Sequence, residues 1–309
     1  MQSETHLKTD GAPLARTANR IRKIAASVLL LFLFPLLLRA AGPEELRIVS
    51  LSPGLTELVW ALGLGNRMIA RSSVCDWPEQ VRSLPVAGDY AKANPEWLAE
   101  QKRKNPGLLL ITDELYPPET EKVLTALRIP FRNMPCRTID DYRVWVRYLG
   151  SVSGHAEAAE KELARIEGIL AEIRSCAGIP KKKKRVLWIL GTEPLVAAGP
   201  GSLPDTILKE TGALNAAEGA RAPYFRASAE WLLKADPDVL ILLKRHGTDL
   251  AAPLEGHPVW GLLRANRTGN VIRDIPEDEL FRPGPRLFEG MRKLQRTLYP
   301  ETVTGTMGK

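Results

Sequence analysis

The stretch Asn94-Pro95-Glu96-Trp97-Leu98, followed by Pro106 and the apolar run Leu108-Leu109-Leu110-Ile111, has a second copy in the chain. The copy reads Ser228-Ala229-Glu230-Trp231-Leu232, then Pro237 and Val239-Leu240-Ile241-Leu242-Leu243. Each predicts a capped helix start, a short helix, a proline break and a buried strand. Asn94 and Ser228 carry side-chain oxygens that accept the unpaired N–H groups of a first helical turn. Glu96 and Glu230 therefore fall in matching first turns. The first copy has three more residues between its Glu and its Pro. One supersecondary unit used twice implies two like lobes, each with a carboxylate at the same place. That arrangement suits a two-lobed binder better than a single active site.

Outward from the repeat, strands alternate with helices. Residues 47–51, 68–74 and 129–134 predict strands, and 119–128 a helix with Val123, Leu124 and Leu127 inward. Thr138-Ile139-Asp140-Asp141 is a capping-box variant opening a helix to residue 149, with 150–154 as an interruption. Over residues 155–176, Leu163, Ile166, Leu170 and Ile173 recur at helical spacing. At 1.5 Å rise this makes a rod of about 33 Å, long enough to span two lobes. Residues 186–190 predict a buried strand, 191–201 a loop rich in Gly and Pro, 206–210 a helix, and 271–272 a last strand. A final helix begins within 281–286 and runs to 298. The alternation implies an α/β fold with parallel sheets. The expected divisions are 1–42, an N-terminal α/β lobe at 43–138, a helical connection at 139–180, and a C-terminal α/β lobe at 181–309.

The N-terminus has its own pattern. A basic cluster, Arg20-Ile21-Arg22-Lys23, precedes an almost wholly apolar run at 25–38, and Ala40-Ala41-Gly42 follows. This is the three-part plan of a secretory signal. An uncleaved anchor is the alternative, although the run is short of the roughly 20 residues that span a bilayer. No Cys near the cut offers a lipid attachment point. The chain has 309 residues and a formal charge of +7, but the first 42 residues carry six basic and two acidic side chains. The remainder is close to neutral, which gives no argument for nucleic acid. The run Lys181-Lys182-Lys183-Lys184-Arg185 reads as a solvated linker. Cys75, Cys136 and Cys176 are the three cysteines. In an oxidising compartment Cys75 and Cys136, each after a first-lobe strand, are open to pairing. The other open reading is that all three are small apolar fillers.

Several chemistries find no motif. Gly63-Leu64-Gly65 ends a helix and lacks the third Gly of a dinucleotide fingerprint. There is no phosphate-binding loop and no nucleophile elbow. His6, His155, His246 and His257 show no ligand-like spacing, so no protein-held metal or cofactor is expected. Asp278 and Glu279 are adjacent carboxylates on a predicted loop, the basis for an alternative reading as an exported α/β hydrolase. What remains are polar and aromatic residues after strands, where open α/β sheets bind ligands. The candidates are Ser73, Val74 and Cys75, then Tyr90, Val196, Tyr224 and Phe225, then Leu280, Phe281 and Arg282. Arg282 is also placed to pair with Asp278.

Residues 46–300 resemble the periplasmic substrate-binding proteins of ABC importers that take cobalamin, iron(III)-siderophores or heme. The motifs run in order: Ser50-Leu51-Ser52-Pro53-Gly54-Leu55-Thr56-Glu57, Cys75-Asp76-Trp77-Pro78, Leu84-Pro85-Val86-Ala87-Gly88, Pro237-Asp238-Val239-Leu240-Ile241, and Arg282-Pro283-Gly284-Pro285-Arg286. The resemblance implies two Rossmann-like lobes joined by a single long backbone helix, met here by 155–176. It implies a periplasmic, monomeric receptor that is not an enzyme and hands its ligand to ABC transporter permease subunits. One Glu per lobe docks on permease Arg residues, at positions matching Glu96 and Glu230. The ligand it implies is a corrinoid or a ferric chelate, which itself carries the cobalt or iron. Val74 stands where an aromatic residue is common, which leaves cobinamide, another corrinoid, a siderophore or heme open beside cobalamin. A corrinoid is the expectation.

Overall fold

The computed structural model describes residues 45–178, 180, 182–244, 250, 252–255 and 259–300. The expected signal or anchor at 1–42 lies outside these residues, as do Lys181, His6, His246 and His257.

The first lobe is built from β1 (Arg47–Ser50), α1 (Pro53–Ala61), β2 (Met68–Ser72), β3 (Val86–Asp89), β4 (Lys92–Ala93), α2 (Pro95–Lys104), β5 (Leu108–Thr112), α3 (Thr120–Ala126) and β6 (Phe131–Asn133). Its sheet has the order β4-β3-β2-β1-β5-β6, and all pairs are parallel except β3 with β4. Two helices then follow, α4 (Ile139–Ser153) and α5 (Ala156–Ala177).

The second lobe contains β7 (Arg185–Thr192), β8 (Leu195–Ala198), α6 (Leu203–Glu210), β9 (Leu214–Asn215), β10 (Tyr224–Arg226), α7 (Ala229–Ala235), β11 (Val239–Ile241), α8 (Ala252–Glu255), α9 (Arg264–Arg267), β12 (Val271–Ile272), α10 (Asp278–Phe281) and α11 (Pro285–Leu298). Its sheet runs β10-β8-β7-β11-β12, with β9 paired to the start of β7. β7, β11 and β12 are parallel, whereas β8 and β10 are antiparallel additions.

Alternation along the strands sorts side chains between faces. In β5, Leu108 and Leu110 enter one core while Leu109 and Ile111 enter another. In β7, Leu187 and Ile189 part in the same way from Val186 and Trp188. The faces turned toward α5 share one core. Ile48, Leu55 and Leu109 of the first lobe join Leu163, Ile166 and Leu170 of α5, then Trp188 and Ile207 of the second lobe, then Phe288 and Met291 of α11. Polar ties bind α5 at several heights. Tyr142 donates to Glu162 at 2.7 Å, Arg143 pairs with Glu167 at 2.7 Å, and Arg174 pairs with Glu210 at 2.7 Å. This is the single connecting helix of a two-lobed α/β fold, at almost the boundaries its periodicity predicts.

Four expectations are corrected. Gly150 does not interrupt a helix: α4 continues to Ser153, and Gly154 ends it in the left-handed region at φ 75°. Gly150 serves close packing, since a Cβ there would stand 2.5 Å from the Ala159 Cβ. Residues 191–201 are not all loop, because β7 and β8 form a hairpin with Thr192 opposite Leu195. The following helix starts at Leu203, where the Ser202 hydroxyl accepts from Asp205 N at 3.2 Å. In α3 only Thr120 and Leu124 are buried, and Val123 and Leu127 face outward.

Candidate functional site

The parallel strands of the first sheet all end on one edge. That edge carries Ser52 after β1, residues 73–77 after β2, Tyr90 after β3, Asp113 after β5, and Cys136 and Arg137 after β6. The segment from α10 into α11 meets this edge from the second lobe. Arg282 donates to Asp76 of the first lobe and, at 2.9 Å, to Asp278. Burial works to raise the Asp76 carboxyl, but the Arg282 bond and charge outweigh it and hold it below its ordinary value.

One turn later, Arg286 grips Glu57 of α1 with two bonds, at 2.9 and 2.6 Å. The Glu57 side chain is 2% exposed. Burial lifts its pKa in spite of Arg286. The same guanidinium lies 4.8 Å over the ring of Trp77, within cation–π range. Backbones touch here too. A Cβ on Gly54 would meet the Pro283 carbonyl oxygen at 2.5 Å, and one on Gly284 would meet the Gly54 oxygen at 3.0 Å.

The expected site residues separate into groups. Ser73, Val74 and Tyr90 are exposed at the strand ends, and Ser73 donates to Asp89. Tyr90 is 43% exposed, and its hydroxyl lies 3.5 Å from Asp113 Oδ2. Burial raises its phenol pKa, and the Asp113 and Glu114 charges raise it further. Tyr224, 51% exposed, stands on β10 in a register that puts it on the same face as Val196.

Four candidates are displaced. Phe225 points to the other face of β10 and packs edge-on against Trp231 at 4.9 Å. Leu280 is fully buried in the shared core, and Phe281 lies edge-on to Trp188 at 5.4 Å. Cys75 is buried, its sulfur 3.1 Å from both Thr56 Oγ1 and Ser72 Oγ. Cys136 instead donates to the Pro283 carbonyl at 3.4 Å. The Cys75–Cys136 disulfide is not formed, and all three thiols are free and buried. Asp278 and Glu279 lie on α10, not on a loop, and each is engaged by a cation: Arg282 at 2.9 Å and Lys293 at 2.6 Å.

Two residues escaped the sequence reading. Trp77, 48% exposed, stood in the motif Cys75-Asp76-Trp77-Pro78 without being singled out. Asp113 is the first charged residue after the buried strand β5. The rule that ligands bind beyond strand ends was enough to flag it. Burial lifts the Asp113 carboxyl to a pKa of about 6, against bonds from its own backbone and Ser52.

Two α/β lobes are thus held by one helix, with exposed rings at the strand ends and the α10 carboxylates engaged by cations. The sequence model of the family described as periplasmic binding protein matches residues 48–277, and the chain belongs to that family. This is a family of substrate-binding proteins of ABC importers, not of enzymes. A vitamin B12-binding protein from Pectobacterium carotovorum subsp. carotovorum is 28% identical over 254 residues, covering 82% of this chain and 88% of that one. One from Vibrio cholerae is 26% identical over 277 residues, covering 89% and 95%. Among solved structures, a periplasmic heme-binding protein from Roseiflexus sp. RS-1 superposes with a TM-score of 0.73 at 25% identity, over 83% of this chain and 99% of that one. The vitamin B12-binding protein of Vibrio cholerae gives 0.68 at 24% identity, over 82% and 96%, a likeness of fold.

Proposed function

We propose that this chain is an exported periplasmic receptor that captures a corrinoid between its lobes and delivers it to the permease of an ABC importer. The observation that carries the ligand is the similarity to vitamin B12-binding proteins over more than four-fifths of the chain. Exposed Trp77, Tyr90 and Tyr224 at the strand ends offer the flat apolar faces a macrocycle needs. A second reading, heme, rests on the heme-binding Roseiflexus neighbour. Two features weigh against it. Two cations at this edge are engaged: Arg286, over the Trp77 ring, by Glu57, and Arg282 by two carboxylates. The Tyr90 phenol, its pKa raised, is a poor source of the phenolate that iron would take.

Glu96 and Glu230 are proposed as the docking carboxylates. Both are exposed in the first turns of α2 and α7, where Asn94 accepts from Trp97 N at 3.0 Å and Ser228 from Trp231 N at 3.1 Å.

The deciding experiment is a titration of residues 43–309 with cyanocobalamin, cobinamide and hemin, followed by tryptophan fluorescence. Saturable one-to-one quenching by a corrinoid, with weaker hemin binding, is the expected result. Binding of hemin alone would replace the ligand, and binding of none would remove the reading. Because one core runs through both lobes and α5, small-angle scattering should show a radius of gyration that changes by less than about 1 Å on ligand addition. A large contraction would mean that this core yields.

A further inference from the structure

Asp113, half-buried, is built unlike the buried carboxylates of this chain. Glu57 is held by Arg286, and Glu162 by Arg165 and Tyr142. Asp205 accepts from Gly201 N, Asn215 and Lys209. Asp113 Oδ1 is buried with no hydrogen-bond partner, the one carboxylate oxygen so left among the described residues. The rest of the carboxylate has the long contact to the Tyr90 hydroxyl, at 3.5 Å, and the support of Ser52 and its own backbone N–H.

Among the described residues, no cation pairs with it. Ser52 faces it from the end of β1, and Tyr90 from the end of β3. Glu114, beside it, is an anion whose own partner is Arg137 at 3.5 Å. From the end of β6 comes the Cys136 thiol, kept protonated by burial and by Asp113 itself. A carboxylate oxygen left without a partner in a buried place costs stability. Such groups gather where a ligand or a reaction uses them.

An ionised carboxylate only accepts hydrogen bonds. A partner must therefore bring a donor, and a ligand whose rim carries carboxylates is repelled. A corrinoid carries primary carboxamides around its ring, whereas heme carries propionates. We infer that Asp113 is a polar anchor at the strand-end edge of the first sheet, where its carboxylate takes a hydrogen bond from a rim amide of a corrinoid in place of the Tyr90 hydroxyl. This rests on the corrinoid reading above. It adds a recognition residue that selects neutral, amide-bearing macrocycles over anionic ones.

The test compares cyanocobalamin with its monocarboxylic acids, in each of which one rim amide is a carboxylate, across pH 5 to 8. Wild type should bind at least one of these acids roughly 10- to 100-fold more weakly than cyanocobalamin, the range of one charge-assisted hydrogen bond. Its affinity for cyanocobalamin should rise with pH through about 6 and then level, because the carboxylate is the accepting form. Asp113→Asn, a near-isosteric change, should bind cyanocobalamin more weakly, lose the discrimination and show no pH step. Asp113→Glu should keep the step. An Asn variant that matches wild type in affinity, selectivity and pH profile overturns the inference alone. A wild-type protein that binds no corrinoid overturns the corrinoid reading and this inference with it.

Discussion

Exchanging Glu96 and Glu230 together for Arg should abolish uptake of the bound solute by cells while its affinity for the purified receptor stays unchanged. The two residues sit at equivalent places in the two lobes, exposed, and with no ion pair among the described residues. A carboxylate in a first helical turn gains something from the helix dipole alone, but at most about 1 kcal/mol at an exposed site. The helices do not depend on these residues, because the Asn94 and Ser228 caps are separate groups. If each Glu meets a permease Arg, reversal sets like charges together, which costs several kcal/mol. Roughly 100-fold weaker docking corresponds to about 2.7 kcal/mol. Transport of radiolabelled ligand, measured beside a fluorescence titration of the same variant, separates the two properties. Full uptake by the double variant would remove the docking assignment.

The second large effect concerns stability. Arg286→Met should lower the folding free energy by about 3–5 kcal/mol near neutral pH, the usual result of stranding one member of a buried pair. For a domain of this size that is roughly 10 °C in melting temperature. Glu57 keeps its burial but loses both close bonds and most of the positive charge facing it. The pH dependence has a definite sign. The folded pKa of Glu57 is raised by burial in spite of Arg286, so folding favours its neutral form relative to the unfolded chain. Stability from this group is greatest below the unfolded pKa and falls as pH rises through the folded one. The deficit of Arg286→Met should therefore shrink toward pH 4.5 and widen at pH 7.5. Adding Glu57→Gln should recover much of it. Thermal melts of wild type and both variants at the two pH values check this, and equal melting at pH 7.5 would show that the pair does not bear on stability.

The backbone plan was legible because it rests on local signals. Asn94, Thr138 and Ser228 cap the helices their positions predict. The apolar period of residues 155–176 marks α5 to within a residue at each end. Where the fold departed, a long-range contact had overridden a local rule. Gly191 and Pro194 read as loop, yet Ile189 pairs with Ala197 and closes a hairpin. Gly150 reads as a break, yet it lies where Ala159 of α5 comes closest. α3 is two turns long, too short for periodicity to say which side faces in.

The candidate site was less legible, because exposure and partnership are properties of the folded surface. Leu280 and Tyr90 looked alike as residues near strand ends, and only packing separates a core leucine from an open ring. Arg282 was read as a partner of Asp278, which holds, but its bond to Asp76 joins residues 206 positions apart. No sequence pattern announces such a pairing.

The contact of Gly54 with Pro283 and Gly284 has a consequence for how the receptor recognises its ligand. Atoms of the main chain, not side chains, meet there, and main chain has no rotamers through which to yield. The gap between the lobes is thus gauged during folding, before any ligand arrives. Work that a hinged receptor draws from its ligand at each encounter is here completed once, when the chain folds. If the proposed function holds, selectivity follows from fit to a pre-set spacing: a macrocycle too thick for it is refused, and one too thin gains little.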